Sequence, residues 1–459
     1  MIDVRKCSYI LIIFLLIFIN ANSSPSAIFH FSNDSSFKQI QQDEITVRNL
    51  IYAMLKRAGY TYSKNNYKVI FKQRGISAII TTNKGKKFIK LVEKEAGKNE
   101  FFNGSRASHY LPVIQSEALV LSDDISLLVQ PYIEEIKKDK GVLIDVIAEI
   151  ENNENKKESY YPLFKKIFEQ MYGLTTKTLH YKIAKAKNDE FYFHRVQTQK
   201  LDNVEGRLES FYTMSKVKLD NEIINWHKLV KKKWVIDGVA YKETLEDLIL
   251  KAHNNLNPAN KRLIALSHGD WHEMNIITDI LDNNKLNFYY IDLETFGENS
   301  ILGDSVIYLV YNSILADYIN PKYYSNYLNK RNKAINFAMK TFSNKEIHPA
   351  VIVSEKYVYM DNVNKFGTNK VRKEIANLHI KLYLEKVIKL AEAKYGLSIR
   401  NEIEEYLKSC FLLRLLGVYN LTEMEPNDQV KLLGLIYKVI GTTENNKNIP
   451  FTERFLDAI

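Results

Sequence analysis

The chain has 459 residues, of which 46% are hydrophobic, 26% charged and 12% aromatic, a composition that excludes disorder and collagen-like repetition. With 17 Gly and 9 Pro there is little material for long flexible linkers, and the length suits one large two-lobed unit or two to three smaller domains. The 64 Lys and Arg exceed the 54 Asp and Glu to give a net charge of +10. This is a mild basic bias, spread in short runs such as KKDK at 137–140 and VKKKW at 230–234; these read as solvated surface, and no nucleic-acid partner is expected.

Along the chain, MIDVRK is followed by the apolar run CSYILIIFLLIFI and by NANSS, with Ala21 and Ser23 spaced as a cleavage site. This is the grammar of a signal peptide, so residues 1–23 are expected to be a signal peptide or membrane anchor. Any membrane association is expected through residues 8–19 alone, a run shorter than the ~20 residues of a spanning helix. Export or membrane association is the localisation this implies, with a cytoplasmic location as the alternative. Residues 24–40, Ser- and Asn-rich, read as a polar linker. Ile45, Val47, Leu50, Ile51, Met54 and Leu55 then recur at helical spacing, with Gly59 placed as a stop. The pattern changes to strand-like runs, YKVIFKQRG, SAIITTNKG and KKFIKLVEK, separated by turn signals at Arg74-Gly75 and Asn83-Lys84-Gly85. A helix is expected around 96–108, then two strands, PVIQSEALVLS and ISLLVQPYI, joined at Asp123-Asp124. From about 139 the chain reads as predominantly helical, interrupted near 263–303 by strand-and-loop runs. Tyr160, Tyr161, Phe164, Phe168 and Tyr172 are expected to serve core and interface packing. The two cysteines, Cys7 and Cys410, are too few for a disulfide framework or a thiolate metal cluster, and Cys410 in SCFLLRLLGV reads as a small core residue. The expected fold class is α+β, with a small β-rich N-lobe over 41–135 and a larger, mostly helical C-lobe over 136–459.

The chemistry is concentrated in Ser267-His268-Gly269-Asp270-Trp271-His272-Glu273-Met274-Asn275, followed after a hydrophobic strand by Tyr290-Ile291-Asp292-Leu293-Glu294. Phosphoryl transfer needs a carboxylate to orient the attacking hydroxyl and accept its proton, and an amide and a second carboxylate to hold magnesium. An Asp with an Asn five residues later, and an Asp at the end of the next strand pair, supply that set in order. HGDWHEMN with IDLE resembles the aminoglycoside phosphotransferase and choline kinase group, whose members share a two-lobed, protein-kinase-like fold.

The resemblance runs over roughly residues 60–310 and implies an ATP-dependent enzyme that uses magnesium to phosphorylate a small-molecule hydroxyl. It makes Asp270 the catalytic base, Asn275 and Asp292 the magnesium ligands, His268 a brace of the loop and Asp304 a support behind it. Upstream it makes Lys90 the nucleotide-phosphate lysine and Glu100 its ion-pair partner, with Glu95 as the alternative. Gln130-Pro131-Tyr132-Ile133 takes the place of the hinge whose backbone pairs with the adenine edge. The chain departs from the pattern at Lys72-Gln73-Arg74-Gly75-Ile76-Ser77, which offers one glycine to a phosphate-covering loop. Two other readings are open. One is a pseudokinase or nucleotide-binding module without turnover, and the other a hydrolase in which His268, Asp270 and His272, at alternate positions, bind a divalent metal.

Overall fold

The computed structural model describes residues 27–30, 44–62, 67, 69–72, 75–132, 142–196, 206–219, 221–280, 286–315, 349–363, 370–418, 420–424, 426–445 and 449–459. The expected signal segment 1–23 and the centre of the glycine-poor loop, Gln73 and Arg74, lie outside these residues. The chain divides into two units, one formed by Met1–Ser108 and Ile114–Ile133, the other by His109–Val113 and Glu134–Ile459.

The first unit is organised by one sheet covered on both faces. β1 (Ala27–His30), β2 (Val69–Lys72), β3 (Gly75–Thr82), β4 (Gly85–Glu93), β5 (Ala118–Leu121) and β6 (Ile125–Pro131) form one sheet in the order β1-β5-β6-β4-β3-β2. Successive side chains point to opposite faces, so Ile89 and Leu91 of β4, with Ile76, Ala78, Leu127 and Val129, pack against Val47, Leu50, Ile51, Met54 and Leu55 of helix α1 (Glu44–Arg57). The other face carries Leu119, Leu121 and Leu128, which pack on Phe101 of α2 (Lys94–Ala107). Lys90 is on this second face, opposite Leu128 in register. The turn between β3 and β4 falls where Asn83-Lys84-Gly85 indicated it: Gly85 has φ of +87°, and the Thr82 hydroxyl donates to Gly85 O at 2.8 Å. Only β1, within the stretch read as a polar linker, adds a pairing without a sequence signal, running parallel to β5.

The second unit contains α3 (Leu143–Asn152), α4 (Lys157–Thr178), α5 (Ile301–Val310), α6 (Lys370–His379) and α7 (Ile399–Val418) around a small sheet in which β8 (Arg262–Ser267) lies between β7 (His180–Lys182) and β11 (Gly297–Ser300). Every residue of β8 is buried, which explains the apolar run Leu263–Leu266 at its centre; Arg262 at its start is buried in an ion pair with Asp189 at 2.7 Å. Between β8 and β11 the hairpin of β9 (Ile276–Ile280) and β10 (Leu286–Tyr290) carries the chain from one candidate loop to the next. Short strands absent from the helical expectation also form: Lys216–Leu219 pairs with Glu222–Asn225, and Lys233–Ile236 runs parallel to Tyr357–Asp361. VKKKW is therefore corrected from a wholly solvated run, because Trp234 is fully buried and stacks on Tyr437 at 4.8 Å between ring centroids. Cys410 is a buried free thiol, and Phe164 and Phe168 are buried in the core. Among the described residues no helix is long and apolar enough to cross a membrane.

Candidate active site

The turn after β8 begins at a residue that only glycine satisfies. Gly269 has φ of +86°, and a Cβ there would sit 2.5 Å from Thr295 O and 2.8 Å from Asn299 Nδ2. That left-handed turn reverses the chain out of the buried strand. Trp271, wholly buried, anchors the loop against the rings of Phe168 (6.1 Å), Tyr308 (5.3 Å), His379 (5.2 Å) and Tyr383 (5.1 Å). Asp270 is thereby held out of the core, its side chain about a quarter exposed.

Two buried side chains brace the turn from behind. Asp304, near the start of α5, accepts from Ser267 Oγ (2.6 Å), the Gly269 amide (2.9 Å) and Asn188 Nδ2 (3.4 Å). Burial raises its pKa to about 6, against the lowering effect of the Ser267 and Gly269 hydrogen bonds. His268 Nδ1 accepts from the Asp270 amide (3.3 Å), which assigns the ring proton to Nε2, and this nitrogen donates to Ile291 O (2.8 Å). Burial holds the His268 pKa below its ordinary value. His268 thus ties the loop to the segment that carries Asp292.

Asn275 makes the second tie. Its Nδ2 donates to Asp270 O (2.9 Å), and its carbonyl accepts from the Ile291 amide (3.0 Å). The side-chain bond fixes which way the amide oxygen faces. Asp292 follows with φ of 60° and ψ of 53°, the left-handed region that a residue with a Cβ occupies at a cost of about 1–3 kcal/mol, a strain that clusters at functional sites. Asp270, Asn275 and Ile291, the residue before Asp292, are therefore joined by hydrogen bonds within one unit. An amide oxygen and one carboxylate suit magnesium, which keeps waters and substrate phosphates as its other ligands and does not need an all-protein cage. Among the described residues no group of three or more His, Cys, Asp and Glu side chains could hold a metal ion. The His268-Asp270-His272 alternative fails on its donors as well, because both ring nitrogens of His268 are committed to backbone groups.

The carboxylate of Asp270 has two partners, one of which the motif did not indicate. Arg414, from α7, donates from Nη2 to Oδ1 at 3.1 Å, and His272 Nε2 lies 3.5 Å from Oδ2. Burial pushes the Asp270 pKa up, but His272, Arg414 and His268 outweigh it and hold the carboxyl well below its ordinary range. The available signal was an arginine inside the apolar run SCFLLRLLGV.

In the other unit, Lys90 Nζ lies 2.5 Å from Glu100 Oε2. Of the two candidate partners, Glu100 makes the buried pair and Glu95 instead meets Lys98 at the surface (2.8 Å). Gln130 turns its side chain into the same cluster, its Nε2 donating to Glu100 Oε1 (3.4 Å) and Ser116 Oγ (3.2 Å). The Tyr132 amide is committed to Lys86 O (3.3 Å), so an adenine edge would have to use other backbone groups of that segment. Ile133 lies outside the described residues.

No family model matches the sequence, and no curated protein sequence matches it. The structure is similar to that of an aminoglycoside phosphotransferase from Streptomyces rimosus, with 11% identity, a TM-score of 0.37 and coverage of 80% of this chain and 98% of the other. It is also similar to an ethanolamine kinase from Plasmodium vivax, with 10% identity, a TM-score of 0.38 and coverage of 88% and 96%. A spectinomycin phosphotransferase solved with ADP and spectinomycin gives 13% identity, a TM-score of 0.32 and coverage of 84% and 97%. The fold is α+β. The roles of individual residues rest on the geometry above.

Proposed function

We propose that the chain is an ATP- and magnesium-dependent phosphotransferase acting on a hydroxyl of a small molecule. The observation that carries this is the hydrogen-bonded line from His268 through Asp270 and Asn275 to Ile291, next to the left-handed Asp292, braced by Asp304. Catalysis of phosphoryl transfer is mostly positioning and charge stabilisation, and each part of this line is fixed by backbone contacts that a surface loop would not need. Asp270 orients the acceptor hydroxyl and accepts its proton as that oxygen attacks the terminal phosphoryl group. A carboxylate with a lowered pKa is a weak base, which suits a loose transition state in which the proton leaves late. Asn275 and Asp292 would hold magnesium, which when bound offsets the charge of the nucleotide phosphates. Lys90, oriented by Glu100, is the residue that would bind the nucleotide phosphates. The basic bias of the chain leans mildly toward a neutral or anionic acceptor over a cationic one.

The test is magnesium-dependent ATP consumption by residues 24–459 against pooled acceptors: aminoglycosides, choline and ethanolamine, amino-acid alcohols and sugars. Acceptor-stimulated turnover is expected, abolished by Asp270→Ala with nucleotide binding retained, while Asp292→Ala weakens magnesium-nucleotide binding. Binding of ATP without turnover by any acceptor would favour the pseudokinase reading, and no nucleotide binding would refute the kinase reading altogether.

A further inference from the structure

The geometry points to Arg414 as a positioning residue for Asp270, one that holds the carboxylate at Oδ1 while Tyr311 packs between Arg414 and His272. This rests on the phosphotransferase reading and adds a residue that no part of the sequence motif supplies.

Arg414 lies in the buried stretch of α7 between Cys410 and Gly417, and its side chain is 1% exposed. Burying a guanidinium costs several kcal/mol unless it is paired and hydrogen-bonded, and an apolar residue would fill the same helix face without that cost. The Arg414 guanidinium lies over the rings of Phe191 and Tyr311, 4.9 Å and 5.0 Å from their centres, a setting that favours a planar guanidinium over a flexible ammonium. Tyr311 in turn lies flat on the His272 ring, with centroids 4.2 Å apart and an interplanar angle of 11°. The Met274 amide donates to His272 Nδ1 (3.3 Å), and His272 Nε2 lies 3.2 Å from Asn275 Nδ2 and 3.5 Å from Asp270 Oδ2. Tyr311 is therefore a spacer between the two groups that meet Asp270: Arg414 at Oδ1 and His272 at Oδ2. A carboxylate has about four lone-pair sites, so the Arg414 bond to Oδ1 restrains the plane of the group and leaves the remaining lone pairs for the acceptor hydroxyl.

The experiment compares Arg414→Met, Arg414→Lys and Arg414→Ala with the wild-type chain in the presence of a working acceptor. Misplacing a reacting group by about 1 Å can cost roughly 100-fold, so Arg414→Met should lower kcat by about 30- to 100-fold. Its KM for the nucleotide should stay within about twofold, since the nucleotide set is not touched. Arg414→Lys should recover part of kcat, because it restores charge without the planar fork. Methylguanidinium added to Arg414→Ala should raise its kcat. Arg414→Met at wild-type kcat would overturn the inference. So would a parallel fall of kcat, nucleotide affinity and thermal stability in all three variants with no recovery by lysine or methylguanidinium, which would make Arg414 a packing residue. A folded wild-type chain that binds no nucleotide would refute the kinase reading and take this inference with it, whereas an active wild type with indifferent Arg414 variants would refute this inference alone.

Discussion

Replacing Gly269 with Ala tests whether the turn at Asp270 is as constrained as its geometry indicates. Two penalties add there. A left-handed φ of +86° costs a residue with a Cβ about 1–2 kcal/mol. The added methyl would also meet Thr295 O at 2.5 Å and Thr295 Cβ at 2.8 Å. Thr295 O is backbone, and it is held by Asn299 Nδ2 at 3.0 Å, so it has little room to retreat. Overpacking of this kind costs about 1–3 kcal/mol, and the sum is about 2–5 kcal/mol. Gly238→Ala is the matched control in the same unit, because Gly238 has φ of +77° with nothing within 4 Å of its added Cβ. It should lose only the backbone part, about 1–2 kcal/mol. Urea unfolding followed by tryptophan fluorescence gives both values. Gly269→Ala losing no more stability than Gly238→Ala would refute the steric argument.

Two further outcomes follow from the buried carboxyls. Glu100→Ala should weaken magnesium-ATP binding by about tenfold, roughly 1.4 kcal/mol, whereas Glu95→Ala, which removes only a surface partner of Lys98, should change it by less than about twofold; equal effects on nucleotide titration would dissolve the distinction. Asp304 has a folded pKa raised by burial to about 6, above its unfolded value of about 4. The stability it contributes is therefore full below about pH 4 and lost as the pH rises through about 6. The unfolding free energy of the wild type relative to Asp304→Asn should fall across that window, and a pH-independent difference would count against the buried, protonation-sensitive site.

Much of this architecture was legible in the sequence because local and global signals agree. Alternation in KKFIKLVEK put Lys90 on one face and Ile89 and Leu91 on the other, and the two faces pack on different helices. The order Asp270, Asn275, Asp292 was readable because a loop, a hairpin and a second loop are contiguous in the chain, so their hydrogen bonds are nearly local. Arg414 was not readable in that way. It reaches Asp270 across 144 residues, through helix packing that no short motif encodes. Trp234 was missed for a related reason, since its lysine neighbours suggest a surface and only the stack with Tyr437 reveals a core position. The reading of the adenine segment stopped at composition: which backbone groups it can offer depends on a strand register that commits the Tyr132 amide to Lys86.

The assignment of His109–Val113 to the second unit bears on how that unit can be produced by itself. The Tyr290 amide donates to Pro112 O at 2.8 Å, and Val113 bridges to Tyr290 in parallel. A fragment starting after residue 133 would begin with that donor orphaned, two residues before Asp292. Since a buried amide without an acceptor costs about 1–3 kcal/mol, excision would damage first the segment meant to be isolated. A faithful excised form would carry His109–Val113 spliced ahead of residue 134, and a protease nick in this short piece should register at Asp292 although the two lie far apart in sequence.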